Sequence, residues 1–325
     1  MTVVEAGGPS DWAPPRPGAA VTLVVCTYTV RRLELLRGLL ASVAVADPRP
    51  DEVIVVVDRD AALHASLERE LAPVVSVLFS AEGGLSAARN VGWRAARGDW
   101  ISFVDDDAVV APDWLGVLRE SAEYHGASIA GGRIDPRWDG DAPAWYSSRI
   151  GWVVGCTFKG LPTVPAPVRS VIGCNMLVRR SVLQQLEGFS RSLGRRGTAL
   201  IGSEETELCI RAGMAGAQVV FVPGSRAWQV VPPDRRELRY AWRRAWGEGR
   251  SKARLSALHG RVLGVEQTYT RALLRESMVG LVMGALARDR GRFTRAAMLV
   301  CTLATTVAGY AYERVRVMTP TDRDT

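Results

Sequence analysis

Trp100-Ile-Ser-Phe-Val-Asp-Asp-Asp107 is the stretch that decides the fold. Its first five residues are mostly apolar and read as a buried strand, and three consecutive carboxylates close it. Three adjacent like charges disfavour one another's ionisation, so the cluster needs a counter-charge. Just past the carboxyl end of a strand is where open α/β sheets hold their ligands. Hard oxygen donors in that position suit Mg²⁺ or Mn²⁺ shared with substrate phosphates. A solvated acidic turn is the competing reading, and the neighbouring segments bear on the choice.

Upstream, Val21-Thr-Leu-Val-Val-Cys-Thr27 is a short β-branched run that reads as a first strand and ends in polar residues. Leu33 to Val45 carries apolar residues at helical spacing before Asp47-Pro-Arg-Pro50. Asp51-Glu-Val-Ile-Val-Val-Val-Asp58 is a second strand, again closed by a carboxylate. Ala61 to Leu71 reads as a helix and Val74 to Phe79 as a third strand, followed by the Gly83-Gly84 loop. Ser86 is suited to cap the next helix, Ala87 to Ala96, which Gly98 separates from the Trp100 strand. Strand–helix alternation of this kind predicts a parallel sheet with helices on both faces. Thr27, Tyr28, Asp58 and Asp105-Asp106-Asp107 then converge on one rim of that sheet.

These residues resemble a known family. Val25-Cys-Thr-Tyr28, Asp51 to Asp58, Gly84-Leu-Ser-Ala-Ala-Arg-Asn-Val-Gly92, Gly98 to Asp107 and Pro112-Asp-Trp-Leu115 are similar to the nucleotide-binding half of a family 2 glycosyltransferase. Gly173 to Arg180, Gly188-Phe189, Leu193-Gly-Arg195 and Ser203-Glu-Glu-Thr-Glu-Leu-Cys-Ile-Arg211 resemble its acceptor-side motifs, in order. The resemblance implies the GT-A fold, a Rossmann-like α/β arrangement with a mostly parallel central sheet. It implies a nucleotide-binding half over 21–118 and an acceptor half over 119–231; beyond the match, residues 232–325 read as a basic and apolar helical C-terminal extension.

The site residues follow from the same resemblance. Asp107 is the implied ligand of Mn²⁺ or Mg²⁺, with Asp106 on the ribose or sharing the metal and Asp105 completing the Asp-x-Asp pattern. Asp58 is the implied partner of the base, flanked by Thr27 and Tyr28, and Arg89 is an implied base or diphosphate contact. Glu205 is the implied general base of an inverting transfer, with Glu204 its neighbour. On an extended segment the two would point opposite ways; a helix start is the alternative, since acids suit a helix N-terminus. The donor implied is a nucleotide sugar, UDP-linked first, and the acceptor a glycan or a lipid-linked sugar. The chain departs from the family where Asp58 is followed by Arg59-Asp60 and where Ala227-Trp-Gln-Val230 lacks a histidine. The first departure leaves the base open.

Charge is uneven. Ten Lys or Arg and three Asp or Glu lie between Arg226 and Arg261, a net of +7 that equals the net charge of the whole chain. A basic face confined to one late segment suits a phosphate-bearing partner or an anionic membrane, and not a protein that coats nucleic acid. Asp234 and Glu237 resemble a capping box for a helix presenting Leu238, Trp242 and Trp246 on one face. Ala296 to Tyr312 is uncharged over 17 residues, at the lower limit for crossing a bilayer, so peripheral contact is expected of this segment instead. Five scattered cysteines without a Cys-x-x-Cys pair argue against zinc or disulfides and for a reducing, cytoplasmic setting. Residues 1–20 read as a disordered tail without a signal peptide.

Two other function classes are weighed against an enzyme of sugar transfer. A non-catalytic basic module for membrane or nucleic acid would carry cations on the sheet rim, which here carries acids. A dinucleotide-dependent oxidoreductase would open its first strand into Gly-x-Gly-x-x-Gly, and Cys26-Thr-Tyr-Thr-Val-Arg31 has no glycine.

Overall fold

A computed structural model describes residues 20–72, 74–195, 200–260 and 264–318. The tail expected over residues 1–20 lies outside them up to residue 19.

The β-branched runs form β1 (Val21–Thr27), β2 (Glu52–Asp58) and β3 (Ser76–Ser80), followed by β4 (Trp100–Asp105). Between them lie α1 (Leu33–Ala44), α2 (Ala61–Leu71) and α3 (Leu85–Ala95). The four strands pair in parallel in the order β3-β2-β1-β4. Register aligns Cys26 with Val56 on one side and with Asp105 on the other, so the acidic strand ends share one rim. The helix expected to begin after a Ser86 cap starts two residues earlier, at Leu85. Gly84 takes the cap position, and the Ser86 hydroxyl donates to the Leu193 carbonyl at 2.8 Å instead. Gly92 lets α3 settle onto the sheet; a Cβ there would lie 3.1 Å from Val56 and closer still to Val24.

Beyond β4 come β5 (Ala108–Val110), α4 (Trp114–Tyr124), β6 (Ile129–Trp138), β7 (Ala166–Pro167) and β8 (Asn175–Arg179). They are followed by α5 (Arg180–Gln185), α6 (Glu204–Met214) and β9 (Val219–Val231). Here the sheet turns antiparallel: β8 pairs with β4 and β6, and β9 with β5 and β7. Val24, Ile54, Phe103, Met176, Val178 and Leu208 are among the residues of the core between this sheet and its helices.

The described chain divides into two compact units. The first holds the sheet, within residues 20–137, 161–194 and 204–230; the second holds the described residues of 138–160, 195–203 and 231–318. Three long helices dominate the second: α7 (Leu238–His259), α8 (Gly264–Leu286) and α9 (Arg290–Met318). The capping box expected at Asp234 and Glu237 does not form. Pro232 and Pro233 start a 3-10 turn over Pro233–Arg236 that absorbs Asp234, and Glu237 precedes α7 without a side-chain cap.

The expected apolar face of α7 is also corrected. Its buried side is made of small residues, Ala241, Ala245, Gly249 and Ala253 among them, while Leu238 and Trp242 are exposed. Backbone contact explains the inversion. A Cβ at Gly249 would meet the backbone of Thr306 and lie 2.7 Å from the Tyr310 nitrogen, and one at Gly309 would meet Trp246. Helices this close select small residues at the contact itself, and Trp246, half-buried, packs beside it with its ring centre 5.4 Å from that of Tyr312. Glu313 of α9, buried, accepts from Arg250 Nε at 2.6 Å and from Arg254 Nε at 2.7 Å and so fixes the same pair of helices. Among the described residues no helix is long and apolar enough to cross a membrane.

Candidate active site

The sheet rim carries the donor-side candidates. Thr27 ends β1 in a buried position, and Tyr28 follows it, more than half exposed. Asp58 ends β2, and its Oδ2 accepts from the Gly84 amide at 2.9 Å. The glycine pair is needed there: Gly83 and Gly84 have φ of 77° and 102°, and a Cβ at Gly83 would run into the Arg59 guanidinium. The Arg59 that marks the departure from the family pattern thus packs over this loop.

Asp105, Asp106 and Asp107 turn off the end of β4. The Val230 amide donates to the Asp107 carbonyl at 2.8 Å, which ties this acidic turn to β9. The counter-charge that the acids require comes from a residue the sequence reading did not single out. Arg32, in the 3-10 turn after β1, reaches Asp106 at 3.1 Å and also pairs with Asp107. Its guanidinium lies 5.5 Å from the Tyr28 ring centre. The sequence signal for it was weak: one arginine of an adjacent pair, five residues past the end of a strand. Burial pushes the Asp106 carboxyl up to about 7 against the pull of Arg32, with Asp107 adding to the rise. Asp106 Oδ2 is a buried oxygen without a hydrogen-bond partner.

The chemistry of this donor set fits a hard divalent ion. Mg²⁺ and Mn²⁺ take one or two carboxylates and complete their shell with phosphate oxygens and water. Asp106 and Asp107 supply such carboxylates, and the orphaned Asp106 oxygen is one that an ion would satisfy. Among the described residues no group of three or more His, Cys, Asp or Glu converges in a way that could hold a metal by itself. Burial pushes the thiol of Cys26, beside these acids, up to about 12, which disfavours the thiolate.

On the acceptor side, Glu204 and Glu205 start α6, so the extended segment expected around them is a helix N-terminus. The structure separates the three acids of this turn. Glu207 pairs with Arg211 at 2.7 Å, and Arg211 also donates to the Gly188 carbonyl at 2.7 Å. Glu204 is buried and accepts from Arg89 at 2.9 Å. Glu205 is half-buried at the same helix end. Ser203, the residue before α6, has φ of 73°, a left-handed backbone unusual for a residue with a side chain.

Arg89 links the two sides. Its Nη2 donates to Asp105 at 3.1 Å while Nη1 holds Glu204, and its guanidinium lies 5.9 Å and 5.4 Å from the ring centres of Phe103 and Phe189. Burial works against its charge, yet Glu204, Asp105 and Glu205 outweigh that cost and raise its pKa above the usual value. Gly173 makes the space, since a Cβ there would lie 2.7 Å from Nη2. The neighbouring Asn90 clasps Phe189, donating to its carbonyl at 2.8 Å and accepting from its amide at 2.9 Å. Arg89 is thus a buried bridge between the acidic sheet rim and the head of α6.

Residues 22–187 match the family described as Glycosyl transferase family 2. The succinoglycan biosynthesis protein ExoM of Rhizobium meliloti is 30% identical over 261 residues, 78% of this chain and 80% of that protein. The glucosyl-dolichyl phosphate glucuronosyltransferase of Haloferax volcanii is 26% identical over 259 residues, 78% of this chain and 83% of that one. Among solved structures, GalNAc-T7 crystallised with UDP, GalNAc and Mn²⁺ superposes with a TM-score of 0.53 at 16% identity. That match covers 79% of this chain and 55% of the GalNAc-T7 chain, and at this identity it speaks to the fold alone. The acid-lined sheet rim, the Arg89 bridge and the acidic head of α6 are thus features of a chain that belongs to glycosyl transferase family 2.

Proposed function

We propose that this glycosyltransferase is inverting and divalent-metal-dependent, moving a sugar from a UDP-linked donor to a hydroxyl of a glycan or lipid-linked sugar. One observation carries the reading: Arg89 joins the acidic sheet rim to the helix end that bears Glu205. Residues 21–231 are then the catalytic GT-A domain and 232–325 its helical extension. Asp58, Thr27 and Tyr28 would hold the nucleoside at the rim, with the ring of Tyr28 more than half exposed beside Arg32 and placed to lie against a base. Asp106 and Asp107 would hold Mn²⁺ or Mg²⁺, which when bound supplies the charge that stabilises the departing diphosphate. Asp105 is occupied by Arg89, so it orients the turn and is not the first choice of ligand.

Glu205 is the base. Its carboxylate takes the proton of the acceptor hydroxyl as that oxygen attacks the anomeric carbon. The bond from that carbon to the diphosphate breaks on the opposite face, the diphosphate carries away the electron pair, and configuration inverts. Glu204 is unsuited to this task, because its carboxylate is spent on Arg89. The acceptor class rests on the relatives, one acting on a glucosyl-dolichyl phosphate and one in succinoglycan biosynthesis. A lipid-linked acceptor would put the reaction at the cytoplasmic face of a membrane, with the enzyme attached peripherally.

The test is a screen of UDP-sugars with lipid-linked and oligosaccharide acceptors, read as UDP released. The expected result is release that requires acceptor, stops on chelation and returns with Mn²⁺. Transfer that persists through exhaustive chelation would refute metal dependence.

A further inference from the structure

We infer that the tip of the α8–α9 hairpin is a docking wedge for an anionic lipid bilayer. The two helices turn back on each other through Ala287–Asp289, and they touch through small residues. A Cβ at Gly280 would lie 2.7 Å from the Ala296 Cβ, and one at Gly284 would lie 2.8 Å from the Phe293 nitrogen. This close contact uses the inner faces, where Leu273, Ser277, Ala296, Met298 and Leu299 are buried. Among the described residues the outer face of α8 is left exposed. Leu274, Met278, Val282 and Leu286 recur at four-residue spacing and are all exposed, Leu286 to 76%; Phe293 on α9 is exposed to 46%. A contiguous apolar stripe of this kind is costly in water and marks an interaction surface.

Charge identifies the occupant. Arg288, Arg290, Arg292 and Arg295 crowd the turn, against the lone acid Asp289, a net of +3 within eight residues. Asp289 is itself engaged, its Oδ1 accepting from the Arg292 amide at 3.0 Å. Apolar side chains at the end of a helical pair, ringed by guanidinium groups, match the layering of an acidic bilayer surface. The side chains enter the acyl boundary while the arginines stay among the phosphates. A second protein copy would have to bring a matching acidic rim, and this hairpin has none to offer itself. Among the described residues no helix is long and apolar enough to span, so the contact proposed is a surface wedge. The inference deepens the peripheral, lipid-linked reading but does not depend on the transfer chemistry.

Co-sedimentation of the full chain with phosphatidylcholine vesicles, with and without about 30% phosphatidylglycerol, tests it. Binding is expected only to the anionic vesicles and should weaken at high salt. Leu286→Asp with Phe293→Asp, and separately Arg288→Glu with Arg290→Glu, should each reduce partitioning by about 10-fold or more. All four side chains are exposed, so circular dichroism should be unchanged, and UDP binding with Mn²⁺ serves as the internal control. Vesicle binding without UDP binding would leave the wedge standing and sink the donor-site reading. No vesicle binding by the wild type, or binding indifferent to both variants, overturns the wedge. So does a concentration-dependent dimer abolished by the same variants in the absence of vesicle binding, which would make a second copy the occupant.

Discussion

Glu205→Gln is expected to lower turnover by about 10²–10⁴-fold, the range a general base contributes, while UDP affinity stays within about twofold. The substitution keeps the volume and the hydrogen-bonding capacity of the side chain and removes only its basicity. Glu205 is half-buried in the first turn of α6, where Glu204 is held by Arg89 and Glu207 by Arg211. Those two acids are held by arginines, and Glu205 is the acid of this turn proposed as the base. Steady-state kinetics with a fixed acceptor check the prediction. A Glu205→Gln enzyme with near-native turnover, alongside an inactive but folded Glu204→Gln, would move the base to the neighbouring position.

Arg89→Met is expected to destabilise the sheet unit by about 3–5 kcal/mol, because it strips the partner from a buried carboxylate. Arg89 and Glu204 are both 3% exposed, and one Glu204 oxygen is already a buried atom without a hydrogen bond. Removing the guanidinium leaves Glu204 to be buried uncompensated or to take up a proton. In a unit of this size the loss corresponds to roughly 6–20 °C in the melting temperature. Arg89→Met with Glu204→Gln should recover part of it, since the double variant no longer buries a charge. Scanning calorimetry on the single and double variants decides. A single variant that melts within about 2 °C of the native protein would show that the bridge carries little stability.

Much of the first half was legible because its signals were local. β1 coincides with the Val21 to Thr27 run, and α2 with Ala61 to Leu71, since β-branched runs, a helical apolar period and turn residues fix these elements within their own length. The convergence of Thr27, Asp58 and Asp105 on one rim followed from strand–helix alternation alone. What could not be read was set by partners distant in sequence. Arg32 meets Asp107 across 75 residues and Arg89 meets Glu204 across 115, separations that carry no periodic signal. Ser86 looked like a cap because serine before an apolar helix usually is one, yet its hydroxyl serves Leu193, 107 residues away. On α7 the pattern misled for a different reason. Trp242 has the larger apolar surface, but a contact built on Gly249 and Gly309 selects small residues and turns the indole outward.

The acidic turn at Asp105 to Asp107 is the centre of the account, and isothermal calorimetry reaches it most directly. UDP, GDP and dTDP would be titrated with and without Mn²⁺ into the wild type and into Asp107→Ala. The prediction is binding of UDP that requires Mn²⁺ and disappears in Asp107→Ala, with the fold of the variant intact by circular dichroism. UDP binding of equal strength without Mn²⁺, or undiminished in Asp107→Ala, would contradict a metal-bridged donor site at the end of β4.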